Sequence, residues 1–163
     1  CLAAALGYLM VHQQDPVGLV TFDKHLRDVI KPKSKRTQLG NILAHLANLK
    51  PTGPTDIARS VIQLASMLRH KSLVMLFSDL LAEPGPIFQA LRRLRHRGHD
   101  VILFHILDEA EVNFPYEGMI EFEDPETQEK VVVDATSYRQ DYKTEIEPFR
   151  ALYPQECFQT GAD

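Results

Sequence analysis

The stretch Ser72-Leu73-Val74-Met75-Leu76-Phe77-Ser78-Asp79 decides the fold of this chain. Its apolar run is short, follows basic residues and ends at a polar Ser-Asp pair. Such a run is typical of a strand buried on both faces, as in a parallel sheet covered by helices. Sheets of this kind bind ligands at the carboxyl ends of their strands. Asp79 is therefore the first candidate functional residue; the alternative is that Ser78-Asp79 only turns the chain.

Helical and extended patterns alternate along the rest of the chain. Apolar residues at helical spacing, together with proline and glycine stops, predict helices over residues 1–12, 39–49, 57–68 and 138–153, and from Pro84 to a turn at Gly98. Pro51 is expected to stop the second of these, and Pro148 to kink or break the last. Apolar runs predict strands over residues 17–22, 26–30, 73–77 and 100–107, and a hairpin joining 119–123 to 130–133. The alternation predicts an α/β fold with a mostly parallel sheet flanked by helices.

Length and composition limit the possible classes of protein. The 163 residues fit one domain, with a hairpin insertion at 112–134. A net charge of −4 argues against a general nucleic-acid or membrane-surface binder. Cys1 and Cys157 lack metal-ligand spacing and are typical of thiols in a reducing, cytoplasmic compartment. No stretch approaches the roughly 20 apolar residues that a membrane helix needs.

Thr55 and Asp79 are the candidate site residues. Both are expected on loops that lead from the sheet region into helices, so both could face one crevice. Hydroxyl and carboxylate oxygens suit a hard cation such as Mg²⁺, although two of them are too few for a tight site. The structural alternative is that Thr55 is a helix N-cap and Asp79 a turn residue.

Two other functions remain open on the residues alone. A Mg²⁺-dependent α/β hydrolase or phosphotransferase would pair Asp79 with Asp108, which follows the next buried strand. A nucleic-acid site could use the basic face from Arg92 to His99, but a solvated helix end is the simpler interpretation because no aromatic residues interleave with it. His105, within a strand, is expected to be half-buried and not a ligand.

The motifs taken together resemble the bacterial family catalogued as domain of unknown function 58, whose members carry a von Willebrand factor A-like domain. The resemblance runs from Ala3 to about Asp134 and preserves the order of the family's motifs. It rests on the stretches LAAALGYL (2–9), DPVGLVTF (15–22), PTGPTD (51–56), LVMLFSD (73–79), LRRLRHRGH (91–99), VILFHILD (101–108) and FEDPETQEKVVVD (122–134).

This resemblance implies a doubly wound, Rossmann-like sheet with a metal-ion-dependent adhesion site, in which Thr55 matches the threonine and Asp79 the later aspartate. The family's Asp-x-Ser-x-Ser motif has no counterpart in the sequence. It would precede Cys1 on a central strand, and a last strand would follow Asp163, so we expect an incomplete domain with weak or absent Mg²⁺ binding. The implied function is a non-enzymatic protein-interaction module, and the family's common association with MoxR-type AAA+ ATPases implies such an ATPase as its partner.

Overall fold

The computed structural model describes residues 1–50, 53–124 and 127–163. It is a mixed α/β structure in which small sheets are flanked by helices. The chain divides into two compact units, an N-terminal unit of Cys1–Leu64 and a C-terminal unit of Ala65–Asp163.

The N-terminal unit is built on one antiparallel strand pair. Its elements are α1 (Leu2–His12), β1 (Val17–Phe22), β2 (Leu26–Lys33), α2 (Thr37–Asn48) and most of α3 (Ile57–Met67). A turn as short as that between β1 and β2 permits only antiparallel pairing. The strand β2 is longer than predicted and reaches past Pro32, so that Lys33 pairs with Val17, and a register shift separates this pair from Leu19 opposite Ile30. A Cβ atom at Gly18 would lie 2.6 Å from the carbonyl oxygen of Ile30, so only glycine fits there.

A buried glutamine ties α2 to this strand pair. The side-chain amide of Gln38 is 1% exposed and donates to the carbonyl oxygens of Val17 (2.8 Å) and Lys31 (2.9 Å). A buried amide is stable only when it is hydrogen-bonded in this way. The start of α2 is therefore fixed on both strands, whereas the stop predicted at Pro51 lies outside the described residues.

The C-terminal unit contains the central apolar run. Its elements are β3 (Leu73–Ser78), α4 (Pro84–His96), β4 (Asp100–His105), α5 (Glu109–Asn113), β5 (Met119–Glu123), β6 (Lys130–Asp134) and α6 (Ala135–Thr160). The strands β3 and β4 are parallel, with Leu73 opposite Asp100 and Ser78 opposite His105. The crossover helix α4 buries Ile87, Leu91 and Leu94 completely and ends before Gly98, whose φ of +83° confirms the predicted stop.

The sheet differs from the one that the sequence predicts. Within the described residues the strands form three separate pairs, and only β3 with β4 is parallel. The prediction that β3 is buried on both faces is also wrong, because only Leu76 is buried and Leu73 is 48% exposed. An apolar run shows that the side chains are hydrophobic, but it does not show whether helices cover both faces of the strand. The burial prediction was wrong for this reason.

The last helix is longer than predicted and has no break. It runs as α6 from Ala135 to Thr160, through both Pro148 and Pro154. Both prolines are exposed, so the carbonyl groups that they leave without a helical partner can bind water. The carboxylate of Asp134 caps the start of the helix by accepting from the backbone N–H of Thr136 at 3.1 Å.

The end of the chain joins the sheet beside β4. The backbone N–H of Asp163 donates to the carbonyl of Val101 (3.0 Å), and the N–H of Leu103 donates to the carbonyl of Asp163 (2.7 Å). These two bonds flank Ile102 and have the pattern of a parallel bridge. Asp163 therefore lies beside β4, on the side that faces away from β3.

The predicted hairpin is present as β5 and β6, and its turn residues 125–126 lie outside the described part of the chain. One face of the ribbon carries Lys130 paired with Glu121 and Glu123. The other packs into an aromatic cluster centred on Phe114, which is 5% exposed. Rings within 4.5–6.3 Å of the Phe114 ring belong to Tyr116, Phe122, Tyr138 and Tyr142.

Candidate functional site

Asp79 lies on the turn that follows β3, at the position that the apolar run predicts. Its carboxylate is exposed, and Oδ1 accepts from the backbone N–H of Leu81 at 3.3 Å. The hydroxyl of Ser78 accepts from the N–H of Leu80 at 3.1 Å, so the Ser-Asp pair does shape the turn. Oδ2 of Asp79 makes no hydrogen bond with any residue that the structure describes, and it remains available to a ligand.

The residue after Asp79 adopts a conformation that leucine rarely takes. Leu80 has φ +59° and is fully buried. A left-handed conformation costs a non-glycine residue on the order of 1–3 kcal/mol, and it persists only where surrounding contacts enforce it. Two contacts do so. The Tyr153 hydroxyl donates to the carbonyl of Leu80 at 3.1 Å, and Nε2 of His105 lies 3.0 Å from the carbonyl oxygen of Asp79.

His105 and Tyr153 hold the turn as neutral groups. Burial lowers the pKa of His105, more than its bond to the Asp79 carbonyl raises it. A carbonyl oxygen only accepts, so Nε2 carries the proton of this neutral ring. Burial, with a smaller contribution from the Asp79 charge, raises the pKa of Tyr153 to about 12. The two rings are 5.1 Å apart, so a side chain from β4 and one from α6 bind the turn side by side.

Thr55 lies in the N-terminal unit, on the exposed segment before α3. Its predicted role as N-cap is wrong by one residue. The helix begins at Ile57, and the carboxylate of Asp56 accepts from the backbone N–H of Arg59 at 2.9 Å, which is the N-cap to N3 bond. The Thr55 hydroxyl therefore has no capping role and stays exposed.

Asp108 serves a helix that the sequence analysis did not predict. Its carboxylate accepts from the N–H of Ala110 at 2.8 Å, and Glu111 accepts from the N–H of Asp108 at 2.6 Å. This reciprocal arrangement is a capping box that starts α5. The spacing Asp108-x-x-Glu111 was the readable signal. No hydrogen bond joins Asp108 to Asp79, and the paired-carboxylate chemistry gains no support from this geometry.

The chemistry of Thr55 and Asp79 suits a hard cation only in part. A hydroxyl and a carboxylate are the oxygen donors that Mg²⁺ prefers, but an octahedral ion needs about six ligands. Among the described residues, no group of three or more His, Cys, Asp or Glu side chains could hold a metal. The two residues belong to different units and do not by themselves constitute a metal centre.

The basic face of α4 is partly neutralised. Arg92 pairs with Glu156 at 2.9 Å, and Arg95 pairs with Asp100. Cations in the last turn of a helix are also stabilised by its dipole. These contacts favour the interpretation of Arg92 to His99 as a solvated helix end.

Comparison with known proteins places the chain in a family. Residues 1–151 match the family described as "Protein of unknown function DUF58", and because this match spans most of the chain, the protein belongs to the DUF58 family. No curated protein and no solved structure matches the sequence significantly. Within the part of the chain that the structure describes, no helix combines the length and apolar character needed to cross a membrane.

Proposed function

We propose that this protein is a non-enzymatic interaction module of the von Willebrand factor A type, and that Asp79 lies at the centre of its contact surface. The observation that carries the proposal is the presentation of Asp79. An exposed carboxylate with one free oxygen stands at the carboxyl end of a parallel strand, where ligands of α/β sheets bind.

The neighbourhood of Asp79 favours binding over chemistry. The groups that a catalytic site would need as base or second carboxylate have structural roles here: His105 binds the Asp79 carbonyl, and Asp108 caps α5. The turn is rigid because Leu80 is fully buried and its carbonyl is bound. A rigid carboxylate loses little conformational entropy when a partner binds it, which increases affinity.

The partner that we propose is a protein, with a MoxR-type AAA+ ATPase as the first candidate. The adhesion-site interpretation also involves Mg²⁺. The family resemblance assigns Thr55 and Asp79 to that ion, and two oxygen donors are too few for a tight site, so the ion should bind this chain weakly or not at all. Mg²⁺ binding is therefore measured separately from partner binding.

The test is the substitution Asp79→Asn. Asparagine keeps an oxygen that can accept from Leu81, so the turn and the free energy of unfolding should change little, while the negative charge is lost. We expect binding to a purified MoxR-type ATPase from the same genome to weaken at least about tenfold, which is about 1.4 kcal/mol. Asp141→Asn, on the exposed side of α6, is the matched control and should bind as the wild type does.

Binding that is unchanged in Asp79→Asn would refute the proposed contact surface. A phosphatase or hydrolase activity that this variant abolishes would refute the non-enzymatic interpretation. Titration with Mg²⁺, followed by calorimetry on both proteins, reports separately on whether Asp79 is also a metal ligand.

A further inference from the structure

The two units of the chain carry opposite net charge. The N-terminal unit has eight lysines and arginines but only four aspartates and no glutamate, whereas the C-terminal unit has ten lysines and arginines and eighteen acidic residues. The net charge of −4 for the whole chain hides this asymmetry. Charges separated in this way favour contacts between surfaces of opposite sign.

Free positive charge is concentrated at the end of β2. Lys31, Lys33, Lys35 and Arg36 lie there and in the turn before α2, and we call these four residues the basic segment. All four are exposed, and their side chains make no hydrogen bond or ion pair with any residue that the structure describes. Gln38 fixes the backbone beneath them, because its side-chain amide donates to the carbonyl of Lys31 and its N–H donates to that of Lys35, both at 2.9 Å.

The aspartates of the N-terminal unit are engaged elsewhere. Asp23 pairs with Arg27 at 3.3 Å, Asp28 lies 3.5 Å from Nε2 of His45, and Asp56 caps α3. Like charges at close spacing repel one another, so the basic segment gains from an acidic surface brought against it. This unit has few carboxylates left to provide one, and the negative charge must come from outside it.

A matching acidic surface lies on the ribbon of β5 and β6. Glu121 and Glu123 share one face of β5, since both pair with Lys130, at 2.8 and 3.3 Å. Asp124 and Glu129 follow at the same end of the ribbon, and all four carboxylates are exposed. We call these four residues the acidic tip. One lysine cannot neutralise four carboxylates, so the tip keeps an excess of negative charge.

We propose that the basic segment of one molecule binds the acidic tip of a second copy of this chain. The charges match in spacing as well as in sign. Lys31 and Lys33 are two residues apart on β2, as Glu121 and Glu123 are on β5, and two residues of strand span about 6.6 Å. The contact goes beyond the proposed function, because it needs neither Asp79 nor a metal ion.

A second copy fits the basic segment better than a nucleic acid or a lipid surface does. The net charge of −4 opposes the approach of either polyanion at long range. Residues 31–36 contain no aromatic side chain on which a base could stack. The acidic tip, in contrast, is present in every solution of the protein at the same concentration as the basic segment.

Sedimentation equilibrium of the full chain is the first test and needs no substitution. At about 0.01 M salt the screening length is about 30 Å, and we expect the average mass to rise with protein concentration. At about 1 M salt the screening length is about 3 Å, and the average mass should return to that of a single chain. A single-chain mass at every concentration in low salt would overturn the proposal, and so would association that is equally strong at both salt concentrations.

Charge reversal is the second test. Lys31→Glu with Lys33→Glu, and separately Glu121→Lys with Glu123→Lys, should each lower the association constant at least tenfold at low salt. An equimolar mixture of the two double variants should associate again, because the reversed segment of one is complementary to the reversed tip of the other. Circular dichroism checks that each variant is folded, and the salt dependence of the wild type decides the outcome if one is not.

The matched control is Arg93→Glu with Arg97→Glu. Both arginines are exposed at the end of α4, and this double variant changes the net charge as much as the double lysine variant does. It should associate as the wild type does, and so should Asp79→Asn, which separates this contact from the proposed function. A mixture of folded charge-reversal variants that stays monomeric, or an equal loss in the arginine control, would overturn the proposal.

Discussion

Removal of one oxygen atom, in Tyr153→Phe, should destabilise the C-terminal unit and loosen the turn that presents Asp79. The Tyr153 ring is 2% exposed, and its hydroxyl donates to the carbonyl of Leu80, a fully buried residue. Phenylalanine keeps the ring contacts with Phe88 and His105 but leaves that carbonyl without its partner. A buried acceptor left unsatisfied costs about 1–3 kcal/mol, so we expect a decrease in the free energy of unfolding within that range.

Urea unfolding followed by far-ultraviolet circular dichroism measures this change, and Tyr138→Phe is the matched control. Tyr138 lies on the same helix, is 47% exposed, and contributes a ring to the aromatic cluster. Its substitution should change the free energy of unfolding by no more than about 0.5 kcal/mol, as is usual for surface positions. Equal effects of the two substitutions would show that the Tyr153 hydroxyl does not hold the turn.

Alkaline pH provides a second measurement on the same hydroxyl. The pKa of Tyr153 is raised from 10.0 to about 12 in the folded protein. A raised pKa means that the folded state holds its proton longer, so this contribution to stability is complete below pH 10 and is lost as the pH rises toward 12. The difference in stability between wild type and Tyr153→Phe should therefore shrink across that interval, and a constant difference would contradict the assignment.

Two further predictions concern the rest of the C-terminal unit. Burial lowers the pKa of His99 and His105 below 6.5, so the unfolded chain binds more protons than the folded protein, and the free energy of unfolding should fall as the pH drops from 7.5 to 5.5. In urea unfolding, His105→Phe should make this decrease smaller. An unchanged pH profile in the variant would contradict the prediction. Phe114→Ala should cost about 3–5 kcal/mol because it removes the centre of the aromatic cluster, whereas Phe158→Ala, at a side chain 89% exposed, should cost less than about 0.5 kcal/mol in the same assay.

Local patterns predicted the elements whose signals lie within the element itself. The helix α1, the strand β1, the hairpin and the end of α4 at Gly98 all follow from periodicity and turn chemistry. The full length of α6 does not follow from local patterns. A proline inside a helix breaks it only when tertiary contacts do not compensate for the lost backbone hydrogen bond. Here the buried Tyr153 and Cys157 anchor the helix beyond Pro148.

In the candidate site, too, the sequence predicts what local signals determine and misses what tertiary contacts determine. The position of Asp79 follows from the end of an apolar run, but its setting depends on contacts that are distant in sequence. The Leu80 carbonyl is bound by a hydroxyl 73 residues away, and the Asp79 carbonyl by an imidazole 26 residues away. A left-handed leucine has no sequence signal, since leucine disfavours that conformation and only the folded surroundings impose it.

The strand β3 has a consequence for the behaviour of the protein in concentrated solution. It contains neither a charged residue nor a proline, and within the described residues its ladder partner is β4 alone. An apolar segment of this kind can pair between molecules when it is exposed, as in the early steps of aggregation. Lys71 and Asp79 flank the strand on either side, which is where gatekeeper charges oppose such pairing. We expect the Asp79 carboxylate to protect colloidal stability in this way, so its neutralisation should lower the concentration at which the protein aggregates.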